Sequence, residues 1–206
     1  MSKKKTVIFD LDGVLIDSKD NMQVSWHACQ KKFNIQNSFE EYFSFVGRPF
    51  FEILSLMNIK SNTESIKLLY DQTSILSADL INFYPDVEKI LKECHKKKIN
   101  LFVVTSKDRK RTKLILKNIS HLFLYLSSPS KNLKGKPHPD QINFILNKFS
   151  LNQDDCVYVG DTEVDQLSAK YANIDFLFAE WGYGPRPSDK HISLHQISDL
   201  LSYIDD

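Results

Sequence analysis

Cysteine is scarce in this chain. Cys29, Cys94 and Cys156 are the three present in 206 residues, far apart, and none stands in a Cys-x-x-Cys pair. That argues against a disulfide framework and a zinc site, and predicts a reducing, cytoplasmic setting. Long apolar runs are missing as well, since nothing reaches the roughly 18 residues expected of a membrane-spanning helix. The apolar stretch behind Met1-Ser2-Lys3-Lys4-Lys5 is cut by Asp10 and Asp12, so no signal-peptide core is expected. An excess of one charge is also absent. The net charge is +1, which gives no global attraction to nucleic acid or to a membrane surface, and neither is expected as a partner. The lysine run at 3–5 reads as a solvated lead into the first strand. There is no internal repeat and no low-complexity segment.

What is present is ordinary for a globular protein: 42% hydrophobic and 26% charged residues. A chain of this size buries roughly 70% of its unfolded surface, enough for a sizeable core. Its length predicts one domain, or one domain carrying an insert.

The chain is organised around residues 6–18. The apolar run Val7-Ile8-Phe9 leads straight into Asp10, and Asp12 and Gly13 follow. Such a run predicts a buried parallel strand that delivers an acid to its carboxyl end. Positions i and i+2 share a face of a strand, so Asp10 and Asp12 can converge on one small volume. Two acids there repel unless a cation or a proton resolves the conflict. Gly13 lets the backbone leave the strand sharply.

Residues 17–82 read as an all-helical insert. Met22, Trp26, Cys29 and Phe33 recur at helical spacing and predict a helix over 20–33, with Trp26 in its core face. Ser38 ahead of Glu40 and Glu41 is an N-cap signal. Val46-Gly47-Arg48-Pro49 is a turn, with Pro49 opening a helix that runs to 56. Thr63 can cap a third helix, with Ile66, Leu69, Tyr70, Thr73 and Leu76 along one side.

From residue 83 the texture changes to alternating strands and helices. Strands are expected at 99–104, 122–126, 156–159 and 176–179, which with the first makes five. Helices are expected from 87 to the lysine triplet at 96–98 and at 108–118, 139–149, 163–171 and 192–204. This alternation predicts an α/β fold, a Rossmann-like parallel five-stranded sheet flanked by helices. Ligands bind such sheets beyond the carboxyl ends of the strands. That rule gathers Asp10, Asp12, Thr105, Ser106, Gly160 and Asp161 on one rim, while Lys136 sits in the loop Gly135-Lys136-Pro137-His138-Pro139-Asp140.

Those residue types match what cleavage of a phosphate monoester needs. The phosphoryl group carries two negative charges and resists an anionic nucleophile, so a divalent cation and hydrogen-bond donors must hold its oxygens. Asp10 and Asp161 offer hard oxygen ligands suited to Mg²⁺. Thr105 can donate its hydroxyl and Ser106 its backbone N–H, and Lys136 is a point charge for the same oxygens. Asp12, once protonated, can donate to the leaving alkoxide and then take a proton from water. An acyl-phosphate on Asp10 would split one hard step into two.

The ordered set resembles the four motifs of the haloacid dehalogenase-like (HAD) hydrolase superfamily across most of the chain. It comprises Asp10-Leu11-Asp12-Gly13, Thr105 after an apolar strand, Lys136 in its Gly-Lys-Pro-His-Pro-Asp loop, and Gly160-Asp161-Thr162-Glu163-Val164-Asp165. The resemblance implies a HAD core over 1–16 and 83–206 and a helical cap domain over 17–82. It makes Asp10 nucleophile and metal ligand, and Asp12 the acid/base and a metal ligand through its carbonyl. Thr105, Ser106 and Lys136 become phosphate contacts, Asp161 a metal ligand, and Asp165 a support of the metal site. Phe45-Val46-Gly47-Arg48-Pro49 resembles the cap loop that reaches into the site, which makes Arg48 a substrate contact. The family's Pro-Gly-Val and Ala-Gly-Ile appear here as Pro85-Asp86-Val87 and Ala172-Asn173-Ile174, and Trp181-Gly182-Tyr183-Gly184 matches its usual ending and is expected at the cap-facing rim.

An acid at position 12 favours phosphotransfer over dehalogenation, because halide needs no proton. The resemblance is to the phosphoglycolate-phosphatase and β-phosphoglucomutase branch. The expected activity is a cytoplasmic, Mg²⁺-dependent phosphatase acting on a small phosphorylated metabolite, a sugar, polyol or organic-acid phosphate, as a monomer or weak homodimer. A phosphomutase of the β-phosphoglucomutase type is the alternative, and a non-catalytic phosphate-ligand binding protein a third.

Overall fold

In the computed structural model, which describes residues 3–130 and 132–204, every residue of β1 (Thr6–Phe9) is buried. A strand buried on both faces needs helices above and below it, and a parallel sheet supplies them. β1 pairs in parallel with β4 (Asn100–Val104) on one side and β6 (Cys156–Gly160) on the other. β5 (Tyr125–Ser127) continues the sheet beyond β4. β7 (Asp175–Ala179) and β8 (Ile192–Leu194) continue it beyond β6, giving the order β5-β4-β1-β6-β7-β8.

The side-chain alternation of each strand splits the core in two. Val7, Phe9, Leu101, Val103, Val157 and Val159 face one way, against Val87, Ile90 and Leu91 of α5 (Val87–Lys96). Ile8, Phe102, Val104 and Tyr158 face the other way, against α7 (Asp140–Lys148) and α8 (Glu163–Tyr171) through Ile142, Ile145 and Ala169. The shorter α6 (Arg109–Ile115) follows β4 and is capped by Asp108, whose carboxylate accepts from the N–H of Lys110 and Arg111.

The sheet has six strands where five were expected. The segment 192–204 is not one helix: Ile192 and Leu194 pair with β7, and a 3-10 helix spans Ile197–Ser202. Ser193 between two apolar residues is the period-two signal of a strand, short enough to be masked by the apolar residues that follow. Residue 122 closes a 3-10 turn, so β5 begins three positions later than expected. Lys4 is not solvated. It is buried at the sheet's amino end, where its ammonium bonds the carbonyl of Asp154 and pairs with Asp175.

Between β1 and β4 the chain leaves the sheet through β2 (Ile16–Asp17) and returns through β3 (Asn82–Phe83), which pair antiparallel. The stretch between them folds as α1 (Lys19–Phe33), α2 (Phe39–Ser44), α3 (Phe50–Leu56) and α4 (Thr63–Leu76), with a 3-10 turn at Ala78–Leu80. This helical insertion has its own apolar cluster, centred on buried Trp26 stacked at 4.6 Å on Tyr42. Ser38 caps α2 as its sequence predicts, accepting from the N–H of Glu41 at 3.1 Å. At α4 the cap position falls on Asn62, at φ 57°, and Thr63 is the first helical residue.

Candidate active site

β1 ends in Asp10, whose N–H still bonds the carbonyl of Val159 at 2.9 Å. The ladder therefore holds the acid's backbone before the chain turns away. The turn follows at once: the carbonyl of Leu11 accepts from the N–H of Leu15 and Ile16, and Gly13 sits at φ +85°. A Cβ on Gly13 would stand 2.1 Å from an oxygen of Asp161, so only glycine lets this loop pass the end of β6.

Asp161 leaves β6 fully buried. Its Oδ2 accepts from the N–H of Tyr183 at 2.7 Å, while its Oδ1 is buried with no hydrogen-bond partner. Asp165 lies one turn into α8 and closes a capping box with Thr162, accepting from both its N–H and its hydroxyl. Lys136 comes from the loop before α7. Its ammonium is 2.8 Å from Asp10 Oδ1 and 2.6 Å from Asp165 Oδ1, and the Tyr158 hydroxyl donates to that same Asp165 oxygen at 3.1 Å.

Asp10, Asp161 and Asp165 thus offer oxygens that all lie within 4.8 Å of one another, all buried. Three carboxylates around one ammonium leave an excess of negative charge. Burial pushes the Asp10 carboxyl up to about 7, with Lys136 opposing and Asp165 adding to the rise. Burial, then the charges of Asp165 and Asp10, push Asp161 well above the usual carboxylate range. Lys136 is held charged, because the two acids outweigh the cost of its burial.

The donor set fits a small hard dication. Its ligands are oxygens, Asp161 Oδ1 lacks any other partner, and a positive charge there would offset the burial, and after it the mutual repulsion, that raise Asp10 and Asp161. Both oxygens of Asp165 are already engaged, by Lys136 and Tyr158 on one and by Thr162 on the other.

Asp12 stands apart from this cluster. Its carboxylate accepts from the Ser18 hydroxyl and pairs with Lys107 at 3.0 Å. Thr105 is buried, and its hydroxyl accepts from the N–H of Lys107 at 3.1 Å. The Ser106 hydroxyl donates to the carbonyl of Gly47, 2.7 Å away in the helical insertion. Arg48, next to Gly47, pairs with Glu52 at 2.7 Å and is partly exposed. One cavity of about 50 Å³ brings Asp10, Asp12, Thr105, Ser106, Lys136 and Arg48 together. Met22, Phe50 and Ile53 close it from the insertion side.

Two further cations line this cavity, Lys107 and Arg111, both buried. Sequence reasoning missed them. Lys107 carries one usable signal, since it directly follows Thr105-Ser106. Arg111 carries none, because in a basic helix nothing singles out the arginine that points inward. Trp181-Gly182-Tyr183-Gly184 does lie at the insertion-facing rim, with the Tyr183 ring 5.1 Å from that of Phe43.

A parallel sheet with a helical insertion, and buried carboxylates with a lysine at its carboxyl rim, define an α/β core of the Rossmann-like class. The chain belongs to the haloacid dehalogenase-like hydrolase family, whose sequence model matches residues 7–179. Curated relatives of the chain carry the names pyrophosphatase PpaX and phosphoglycolate phosphatase. The chain is 26% identical over 179 residues to the pyrophosphatase PpaX of Oceanobacillus iheyensis, covering 86% of this chain and 84% of that one. It is 24% identical over 197 residues to the phosphoglycolate phosphatase of Haemophilus influenzae, covering 87% of each. A haloacid dehalogenase-like hydrolase of Streptococcus pneumoniae has the same fold, with a TM-score of 0.84 over 97% of this chain and 98% of that one at 23% identity. The protein is accordingly an enzyme of this hydrolase family. Among the described residues no helix is long and apolar enough to cross a membrane.

Proposed function

We propose that the protein is a Mg²⁺-dependent phosphatase that hydrolyses a small phosphate ester through an aspartyl-phosphate on Asp10. The observation that carries this reading is the end of β1, where Asp10 meets Lys136 at 2.8 Å beside an Asp161 oxygen that has no other partner. In this reading residues 1–16 and 83–206 form the core domain and 17–82 the cap.

Mg²⁺, held by Asp10, Asp161 and the Asp12 carbonyl, would supply the positive charge that lets a dianionic phosphoryl group approach a carboxylate. Asp165 supports the site by fixing Lys136, which neutralises a phosphoryl oxygen. The Thr105 hydroxyl and the Ser106 N–H donate to the remaining oxygens. Asp10 attacks phosphorus, and the bond to the ester oxygen breaks. Asp12 gives its proton to the departing oxygen. Asp12 then takes a proton from water as the water attacks phosphorus, which frees inorganic phosphate and restores Asp10. The cap excludes bulk water while this proceeds.

The leaving group is small and anionic in this reading. Lys107, Arg111 and Arg48 line the cavity together with Lys136. Relatives named for phosphoglycolate and for pyrophosphate support this, since both compounds release a small anion.

The test is phosphate release from a panel containing phosphoglycolate, pyrophosphate, and sugar and polyol phosphates, with and without Mg²⁺, using Asp10→Asn as control. Release that needs both Mg²⁺ and Asp10 establishes the phosphatase, and the best substrate identifies the leaving group. Isomerised sugar phosphate without free phosphate would move the assignment to a phosphomutase. Binding without turnover would leave a phosphate-ligand binding protein.

A further inference from the structure

We propose that Arg111 of the core and Asp71 of the helical insertion form a latch that sets the closed position of the insertion over the site, with Arg111 as a positioning residue. Arg111 is rooted in the core: its backbone N–H and its Nε both bond the carboxylate of Asp108, the cap of α6. Its Nη2 crosses to α4 and stands 3.1 Å from Asp71 Oδ1. Its guanidinium lies 5.4 Å from the centre of the Tyr70 ring on the same helix. The Tyr70 hydroxyl is within 2.9 Å of the Tyr42 hydroxyl, so one donates to the other, and the Tyr70 ring packs at 4.9 Å on Phe50. Tyr42, Tyr70, Phe50 and Arg111 all line the cavity that holds Asp10 and Asp12.

This chain of contacts runs from α6 through Arg111 to both walls of the insertion. Asp10, Thr105 and Lys136 of the core and Met22, Phe50 and Tyr70 of the insertion line one cavity, so the position of the insertion sets its shape. Moving α4 away separates Arg111 from Asp71 and Tyr70, and returning it restores both. The contact with Asp71 is a single Nη2–Oδ1 approach rather than a fork, and Asp71 Oδ1 is buried with no hydrogen-bond partner, so the charge of Arg111 is what compensates it in this position. The pair is also largely withdrawn from water, with Arg111 7% and Asp71 24% exposed at the side chain. A misregistered closure would leave Arg111 buried beside Tyr70 without its second acid, and that penalty selects one register. Asp71 additionally pairs with Lys67 on its own helix, so it keeps a partner when the insertion is open.

The inference rests on the phosphatase reading in that the cavity is taken as the place of turnover, but its test does not need turnover. Spin labels are placed at Leu68→Cys on α4 and Leu124→Cys in the core, two exposed positions, while the native cysteines are buried. Distances are measured with Mg²⁺ and inorganic phosphate present. The labelled parent is expected to give one narrow distribution, and Asp71→Asn to add a longer and broader population. Asp71→Glu, which keeps the charge, is expected to restore most of the short distance. In assays KM should rise about tenfold in Asp71→Asn and recover in Asp71→Glu, because affinity falls with the fraction of closed protein. An Asp71→Asn distribution identical to the parent's would overturn the latch. Should Asp71→Asn not fold, Arg111→Lys gives the same readout from the other side. Loss of the short distance in a protein that cleaves no ester would sink the phosphatase reading and leave the latch standing.

Discussion

The ammonium of Lys107 stands 3.0 Å from the carboxylate of Asp12, with both groups shielded from solvent. Burial pulls the lysine's affinity for its proton down, and the charge of Asp12 opposes that fall. The proposed acid/base is therefore held by a cation that its strand does not supply. Lys107→Met is expected to keep the fold and lower kcat/KM by about tenfold to a hundredfold, as truncating one partner of a buried charged pair does. Steady-state kinetics on the best substrate checks this, and an unchanged kcat/KM would remove Lys107 from the site.

Lys136 carries a heavier structural role. Removing it leaves Asp10 and Asp165 facing each other without a cation. Lys136→Ala should cost about 3–5 kcal/mol of stability, the usual result of orphaning buried charge. In a chain of this length each kcal/mol corresponds to roughly 2–4 °C of Tm. A thermal scan in chelator therefore expects a fall of about 10 °C, and a loss of only a degree or two would mean the two acids rest protonated without it.

The metal-free protein should lose stability as pH rises from about 4 to 7. Asp10 titrates at 3.8 when unfolded and at about 7 when folded, raised by burial. The folded state therefore holds an extra proton across that interval, and each step upward in pH favours unfolding. The contribution is full below pH 4 and gone above 7. Urea titrations in chelator at pH 5.5 and 7.5 should differ in this direction, and the difference should shrink in Asp10→Asn. Saturating Mg²⁺ should stabilise most at the higher pH, where it no longer competes with protons. At a hundred times its Kd a ligand adds about 2.7 kcal/mol. Equal slopes in parent and variant would contradict the assignment.

Gly13→Ala and Gly182→Ala are expected to disable the site by one route. A Cβ on either would meet Asp161 at 2.1 or 2.2 Å, and Gly13 also needs its positive φ. Each should destabilise by about 1–3 kcal/mol and abolish any Mg²⁺-induced rise in Tm. Retention of that rise would show that Asp161 tolerates displacement.

Much of this was legible in the sequence because the polar strand ends are fixed by topology. Asp10, Thr105 and Asp161 each follow an apolar run, and a parallel sheet can only bring such ends to one rim. The left-handed Asp86 and Asn173, at φ 60° and 54°, stand where the family uses glycine. Departures arose where two patterns overlap. Ile192 and Leu194 fit a helix as well as a strand until pairing with β7 decides between them. Lys4 looked like part of a solvated run because the acid that buries it, Asp175, lies on a strand far along the chain. Lys107 and Arg111 were missed for the same physical reason: their partners, Asp12 and Asp71, are made neighbours only by folding.

The central place of β1 has a consequence for synthesis. Thr6 pairs with Asn100 on one side and Cys156 on the other. At about 5–20 residues per second, the second of these partners leaves the ribosome roughly 8–30 s after Thr6. Over that interval the strand bearing Asp10 has one neighbour at most, while α1 and α4 can already join through Asn21 and Ser74, 53 positions apart. The helical insertion thus has all its own partners in hand before the sheet it covers is complete. A nascent chain halted short of β6 would carry Asp10, the proposed nucleophile, but lack Asp161, and would leave an apolar strand edge awaiting a partner.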